Sequence, residues 1–165
     1  MKKLCIIGNM RHGKDSVAEM LQKQYGYTFE SSSQAAARIF IYDKLKDLYG
    51  YTSPEQCFED RVNHRKEWYD MICEYNLHDK AALARDIMLH SDIYVGMRSN
   101  EELEVCLSEG IFDLVIGVFD PRKPLESLES NNIDFWGKAD IVIPNAGTLE
   151  DLGDRVYQLE SLLRN

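Results

Sequence analysis

The feature that most constrains this chain is a short apolar run that ends in a glycine-rich segment. Leu4–Ile7 contains four consecutive apolar residues, which is typical of a strand buried on both faces of a parallel sheet. The segment 8–16 (GNMRHGKDS) follows directly, and the spacing of Val17, Leu21 and Tyr25 predicts a helix after it. A strand, a glycine-rich turn and a helix in this order predict an α/β fold.

The glycine-rich segment has the spacing GxxxxGK of a phosphate-binding loop. Gly8 and Gly13 allow backbone angles and close approaches that a side chain would block. The N–H groups of residues 8–13, here called the glycine loop, can then face a polyphosphate at the N-terminus of the helix. The predicted nucleotide-binding residues of this segment are Gly8, Asn9, Arg11, His12, Gly13, Lys14, Asp15 and Ser16.

The positions after Lys14 depart from the usual pattern, in which Ser or Thr follows the lysine and binds Mg²⁺. Here Asp15 occupies that position and Ser16 comes next. A carboxylate can serve a hard cation directly or through water. Asp15 and Ser16 are therefore both predicted magnesium ligands.

The rest of the chain alternates strand-length apolar runs with helical patterns. The four further runs are 27–29, 93–97, 112–119 and 141–143. Asn100 is a candidate cap for one helix, and Thr148 with Asp151 forms a candidate capping box for the last. This alternation predicts a parallel sheet covered by helices on both faces, with ligands at the carboxyl ends of the strands.

The middle of the chain, 34–90, is predicted to be a helical insertion between the second and third strands. One helical pattern runs over 35–49 and ends at Gly50. Ser53, followed by Pro54 and Gln56, is a helix-start signal, and we expect that helix to extend to Tyr75. A further helix is expected over 80–90.

Composition limits the possible partners. The 165 residues fit one domain, and 28 acidic against 19 basic side chains give a net charge of −9. This acidity argues against a polynucleotide partner but permits a small anionic ligand in a local positive cleft. No apolar run is long enough to span a membrane, and the four cysteines are dispersed, so we expect a cytoplasmic protein with reduced thiols and no membrane partner.

Four segments together resemble the phage-type deoxynucleoside monophosphate kinases, a branch of the P-loop nucleoside monophosphate kinases. These are the GKDS run, SQAAAR over 33–38, VGMR over 95–98 with Glu102 following, and ADIVIPNAGTLEDL over 139–152. The last pattern is similar also to dephospho-coenzyme A kinases. The resemblance covers both ends of the chain and is weak across 50–90.

The resemblance implies a three-layer P-loop fold built on a five-stranded parallel sheet. Residues 1–165 would form a single kinase domain, with a core of 1–33 and 91–165, an acceptor-binding insertion of 34–90 and a short lid of 120–138. The implied activity is ATP- and Mg²⁺-dependent phosphoryl transfer to a (deoxy)nucleoside monophosphate, giving the diphosphate. The protein would act in the cytoplasm, that of the host if phage-encoded, and a homodimer is possible.

The resemblance also implies roles for individual side chains, because arginines bind phosphate through two parallel hydrogen bonds. The predicted catalytic residues are Lys14, Arg98 and Arg122. The predicted acceptor-binding residues are Arg38, Asp43, Arg65, Trp68 and Arg98. Asn145 and Gly147 are predicted beside the donor adenine. Simpler explanations stay open: a surface ion pair of Arg98 with Glu101 or Glu102, a core position for Trp68, and a solvated helix face for Arg38.

Gly96 is a mismatch to the resemblance, because these kinases often carry there an Asp that helps to hold magnesium. Asp15 or Asp120 would have to substitute for it. Two other functions therefore remain open. One is a kinase for another small phosphorylated metabolite, dephospho-coenzyme A-like or phosphomevalonate-like, and the other is a catalytically inactive nucleotide-binding protein.

Overall fold

A parallel sheet forms the centre of the molecule. The computed structural model describes residues 1–164, so residue 165, the last of the predicted domain, lies outside it. Within that range the sheet has five strands: β1 (Leu4–Ile7), β2 (Phe29–Ser31), β3 (Ile93–Val95), β4 (Leu114–Phe119) and β5 (Ile141–Pro144). All neighbouring strands pair in parallel, in the order β2-β3-β1-β4-β5. The prediction of an α/β fold with a five-stranded parallel sheet is confirmed.

Helices follow the strands along the chain. Within residues 1–164 they are α1 (Lys14–Tyr25), α2 (Ser32–Ala36), α3 (Tyr42–Tyr49), α4 (Pro54–Asp60), α5 (Arg65–Tyr75), α6 (Ala82–Met88), α7 (Asn100–Ser108), α8 (Phe135–Lys138) and α9 (Leu149–Leu163). A π-helical turn, Ala37–Ile41, joins α2 to α3, and a 3₁₀ turn, Arg61–Asn63, follows α4. Helices α2 to α6 lie between β2 and β3 in the chain. None of the helices in this part of the chain is long and apolar enough to cross a membrane.

Strand β1 is buried on both faces, as its apolar sequence predicts. Leu4 and Ile6 join a cluster with residues of α1 and α9, whereas Cys5 and Ile7 join a cluster with residues of α2, α6 and α7. All four side chains are fully excluded from solvent. The hydrophobic effect therefore places β1 between two layers of helices and leaves its carboxyl end directed at the glycine loop.

The strand at one edge of the sheet begins later than predicted. The N–H and hydroxyl groups of Thr28 both donate to the Asp92 carboxylate, at 3.1 and 2.8 Å. The Thr28 carbonyl accepts from the N–H of Ile93 at 3.0 Å, and the paired residues of β2 and β3 begin at Phe29 rather than at Tyr27.

The single helix predicted from Ser53 to Tyr75 is wrong. Ser53 does cap α4, accepting from the N–H of Gln56 at 3.1 Å, but the chain leaves the helical conformation at His64. The Asp60 carboxylate accepts there from Tyr51 Oη (2.5 Å) and His64 Nε2 (3.0 Å). These local hydrogen bonds compete with helix continuation and turn the chain.

Helix α7 begins one residue away from the predicted cap. The Ser99 hydroxyl, not the Asn100 side chain, accepts from the N–H of Glu102 at 3.3 Å. Asn100 is the first helical residue, and its N–H donates to Asn132 Oδ1 at 2.8 Å. Asn100 therefore ties the start of α7 to the connection between β4 and β5.

The capping box predicted for the last helix is present. The Thr148 hydroxyl accepts from the N–H of Asp151 at 3.2 Å, and the Asp151 carboxylate accepts from the N–H of Thr148 at 2.7 Å. The helix that it starts places Leu152 and Val156 in the cluster shared with α1. The cap thus sets the beginning of the element that covers one face of the sheet.

We expect Thr148→Ala to lower the free energy of unfolding by about 1 kcal/mol, because the first turn of α9 would lose its hydroxyl acceptor. Chemical denaturation of the two proteins measures the difference. Thr148→Ser keeps the hydroxyl and should stay close to wild type. Equal destabilisation by both substitutions would show that packing of the threonine methyl group, and not the cap, is responsible.

Candidate functional site

The glycine loop lies against the backbone of β4 and the turn that follows β5. Gly8 has φ 149° and Gly13 has φ 103°, in the region that L side chains rarely adopt. A Cβ on Gly8 would collide with the carbonyl oxygen of Val118, and one on Gly13 would lie 2.5 Å from Asn145 Nδ2. The sequence prediction that both positions need glycine therefore has a physical reason in the packing.

Lys14 is the first residue of α1, and its side chain turns back over the glycine loop. Its Nζ donates to the Asn9 carbonyl at 2.8 Å. Burial lowers the pKa of this amine to about 8, with a further contribution from the Arg98 charge, while Asp15 and Glu126 act in the opposite direction. An ammonium group that is partly stripped of water attracts an anion more strongly than an exposed one does.

Arg98 follows β3 and pairs with a residue that the sequence did not single out. Its Nη1 donates to Glu126 Oε1, so the predicted alternatives Glu101 and Glu102 are not its partners. The other oxygen of Glu126 accepts from the N–H of Met10 in the glycine loop at 2.9 Å. No spacing in the sequence marks Glu126, because it meets the loop only through the fold.

Two arginines of the helical insertion stand beside the glycine loop. Arg65 Nη1 lies 2.9 Å from Met10 Sδ. The guanidinium of Arg61 lies 3.7 Å from the centre of the Phe58 ring. Its pKa is lowered first by burial and then by the charges of Arg65 and Arg98, whereas Asp15 raises it. The fold therefore brings Arg61 into the same positive region as Arg65 and Arg98.

His12 occupies a different place from the one predicted for a phosphate neighbour. Its ring is fully buried: Nδ1 accepts from the N–H of Asp120 at 3.0 Å, and Nε2 lies 3.1 Å from the Pro124 carbonyl. These partners require the proton on Nε2. Only the backbone of His12 therefore belongs to the glycine loop, and its side chain fastens the loop to residues after β4.

Arg122 is paired at the end of β4 rather than placed beside Arg98. Its Nε and Nη2 donate to the two Asp120 oxygens at 2.9 and 3.0 Å. The same guanidinium donates to the carbonyls of Asn145 (3.1 Å) and Gly147 (3.2 Å). The hydrogen bonds from Arg122 lower the pKa of Asp120 to about 2. The predicted role of Arg122 over the transferring phosphate would require it to leave these partners.

The turn after β5 is fastened to the glycine loop as well. Asn145 Nδ2 donates to the His12 carbonyl at 3.1 Å, and its N–H donates to the Phe119 carbonyl at 2.7 Å. Asn145 and Gly147, the predicted neighbours of the donor adenine, therefore lie with Arg122 on one side of the loop. Arg98 and Glu126 lie on the other.

The remaining predicted acceptor residues have other partners. Arg38 is held by both Glu30 oxygens, at 2.9 and 3.1 Å, and Asp43 pairs with Lys46 on the exposed face of α3. Trp68 is only 4% exposed and packs in the core, which agrees with the simpler explanation and leaves its ring covered from an acceptor in this structure. An amphipathic helix buries its tryptophan, because this residue offers the largest apolar surface.

The residues at the start of α1 fit a magnesium ion. Asp15 is exposed in the first turn and Ser16 is half-buried beside it, and both offer the hard oxygen donors that Mg²⁺ requires. Among the described residues no three His, Cys, Asp or Glu side chains meet where they could hold a metal. Magnesium bound through phosphates needs only one or two protein ligands, a number that Asp15 and Ser16 could supply.

Asp15 and Asp120, the two carboxylates that could replace an acid at position 96 in holding magnesium, differ in their hydrogen bonds. Asp120 is engaged by Arg122 through both oxygens, which leaves Asp15 as the available carboxylate. Gly96 itself has φ 89°, and its carbonyl accepts from the Ser32 hydroxyl at 3.2 Å. An aspartate introduced at this position would be strained, because an L side chain rarely adopts this backbone conformation.

Similarity to known proteins is confined to three-dimensional structure. No protein-family model and no curated protein matches the chain. A shikimate kinase from Aquifex aeolicus is similar with a TM-score of 0.52 and 16% identity, covering 99% of both chains. A shikimate kinase from Acinetobacter baumannii in complex with shikimate is similar with a TM-score of 0.55 and 14% identity, covering 97% of this chain and 93% of that one. The chain therefore shares the fold of these two proteins. At these identities the similarity establishes the fold and leaves the substrate undetermined.

We expect the stability advantage of wild type over Asp120→Asn to depend on pH. Because the folded pKa of about 2 lies below the ordinary value of 3.8, the contribution of this carboxylate is present above pH 4 and is lost as the pH falls towards 2. Denaturation of both proteins at several pH values measures it, with Asp154→Asn on the exposed face of α9 as a charge-matched control. A difference that stays constant down to pH 2 would contradict the prediction.

Proposed function

We propose that this protein transfers the γ-phosphoryl group of ATP to a (deoxy)nucleoside monophosphate and releases the diphosphate. The observation that carries the proposal is the gathering of positive side chains around the glycine loop of a chain whose net charge is −9. These side chains are Lys14, Arg61, Arg65 and Arg98. Phosphoryl transfer depends mainly on positioning and on neutralising charge, which is what such a cluster supplies.

The donor would lie along the glycine loop. Its phosphates would accept hydrogen bonds from the loop amides and the N-terminus of α1, and Lys14 would contact the terminal phosphates. The base would lie towards Asn145 and Gly147, where the Arg122 guanidinium offers a planar surface. Asp15 and Ser16 would hold Mg²⁺, which, when bound, neutralises the charge of the phosphates.

The acceptor would lie on the side of the helical insertion. Two phosphorylated substrates repel each other, and Arg61, Arg65 and Arg98 stand where they would offset that repulsion. Arg38 would join them by exchanging Glu30 for a phosphate. In this proposal residues 34–90 and the lid of 120–138 close over the substrates and exclude water, which suppresses ATP hydrolysis.

Four further points belong to the proposal. The preference for deoxynucleotides rests on the sequence resemblance alone. A cytoplasmic location agrees with the acidic composition and with the finding that no helix in residues 1–164 could cross a membrane. The division of the chain into core, insertion and lid, and the possible homodimer, stay predictions.

A kinase for another small phosphorylated metabolite, dephospho-coenzyme A-like or phosphomevalonate-like, is the second candidate. One of the similar structures is a shikimate kinase in complex with shikimate. This fold therefore also occurs in a protein that binds a compound other than a nucleotide. An inactive nucleotide-binding protein is the third candidate, suggested by the absence of an acid at position 96.

An ADP-release assay across a panel of acceptors separates these candidates. The panel contains the common ribo- and deoxyribonucleoside monophosphates, dephospho-coenzyme A, phosphomevalonate and shikimate. Stimulation by one or more monophosphates is expected. Stimulation only by a metabolite would support the second candidate, and tight ATP binding without stimulation by any compound would support the third.

We expect Lys14→Ala to reduce turnover about 100-fold or more while the protein remains folded, because the terminal phosphates lose their point charge. Steady-state kinetics with the accepted substrate, together with circular dichroism, measure both effects. Lys23→Ala removes an exposed lysine from the last turn of the same helix and should leave the rate unchanged. An unaltered rate in Lys14→Ala would show that the glycine loop is not the donor site.

A further inference from the structure

The Glu126 carboxylate lies at the glycine loop and makes the contacts that suit a phosphate. One oxygen accepts from the N–H of Met10 at 2.9 Å and the other from Arg98 Nη1. The side chain is only 8% exposed, although it belongs to a connection whose other residues are mostly exposed. A loop amide and an arginine together form the kind of donor set that holds a phosphate oxygen.

The backbone around Glu126 is fastened to the same loop. Its own N–H donates to Asn9 Oδ1 at 2.8 Å, and the neighbouring Pro124 carbonyl lies 3.1 Å from His12 Nε2. Beyond it, the N–H of Asn132 donates to the Arg98 carbonyl at 3.0 Å. The segment 124–132, here called the strap, therefore crosses the loop with hydrogen bonds at both of its ends.

The charge on Glu126 is maintained in this position. Burial acts to raise the pKa of the carboxyl group, but the hydrogen bond and charge of Arg98, together with the N–H of Met10, lower it overall. The carboxylate also helps to retain the proton on Lys14. An internal anion thus balances the positive cluster from within the chain.

We propose that Glu126 is an internal substitute for a donor phosphate, and that nucleotide binding displaces it and releases the strap from the glycine loop, a step that precedes closure of the proposed lid over both substrates. The inference rests on the proposed function, since it takes ATP as the ligand of the loop. A phosphate and the carboxylate cannot share the Met10 amide without strong repulsion, so one excludes the other. The same displacement frees the Arg98 guanidinium for the phosphates.

The exchange has a consequence for affinity. The loop binds ATP only in those molecules from which the Glu126 carboxylate has left. The observed dissociation constant for ATP is therefore the intrinsic one divided by the fraction of such molecules, so a carboxylate that is mostly in place weakens binding. A protein without this carboxylate should bind ATP more tightly. A carboxylate that merely holds Arg98 in position for substrate would have the opposite effect, since its loss would weaken binding.

The decisive measurement is ATP affinity by isothermal titration calorimetry, for wild type and Glu126→Gln. Glutamine keeps the shape and removes the charge, and we expect the dissociation constant to fall about tenfold, the effect of losing one charge-assisted contact. Glu129→Gln makes the same charge change at an exposed position of the strap and should bind like wild type. Equal or weaker binding by Glu126→Gln would overturn the inference.

A second measurement uses the wild-type protein and does not depend on the variant folding. Hydrogen exchange at the N–H groups of Glu126 and Asn132 should speed up when inorganic triphosphate is added, because both lose their acceptors. Unchanged or slower exchange with triphosphate bound would contradict the inference that the ligand releases the strap. If neither wild type nor Glu126→Gln bound ATP or triphosphate, both the inference and the proposed function would fail. If the two proteins bound ATP equally, the inference would fail but the proposed function would stand.

Discussion

The structure depends on the close approach of the glycine loop to the backbone of β4 and to the turn after β5. The Val118 carbonyl and the Asn145 side chain stand where a Cβ at positions 8 and 13 would be. Because β1 is the central strand, this contact places the loop in the middle of the carboxyl edge of the sheet. Residues that follow β3 and β4 then come to lie on its two sides.

Electrostatics explains how an acidic chain tolerates a concentrated positive site. Burial lowers the pKa values of Lys14 and Arg61, and repulsion by the charges of neighbouring arginines lowers them further. Asp15 and Glu126 offset that repulsion from opposite sides of the loop. A phosphate that replaced the Glu126 carboxylate would again supply a negative charge to the positive cluster. Binding of the proposed ligand would therefore stabilise the site in place of the internal ion pair.

Several local patterns predicted local structure correctly. The apolar run Leu4–Ile7, the cap at Ser53 and the capping box at Thr148 appear as expected, because each depends on residues within one turn or one strand. Predictions that depended on distant partners were less successful. The side chain of Trp68 is buried in the core and that of His12 between the loop and the residues after β4, because packing against elements far along the chain decides which face of a segment meets solvent.

The sequence by itself determined the parallel α/β architecture and the loop on which a phosphate would lie. Hydrophobic periodicity and glycine spacing act over a few residues and can be recognised without a fold. Only the tertiary structure decided which charges surround that loop. Arg61, Arg98 and Glu126 come from segments far apart in the chain, and their meeting depends on the strand order β2-β3-β1-β4-β5, which no local pattern encodes.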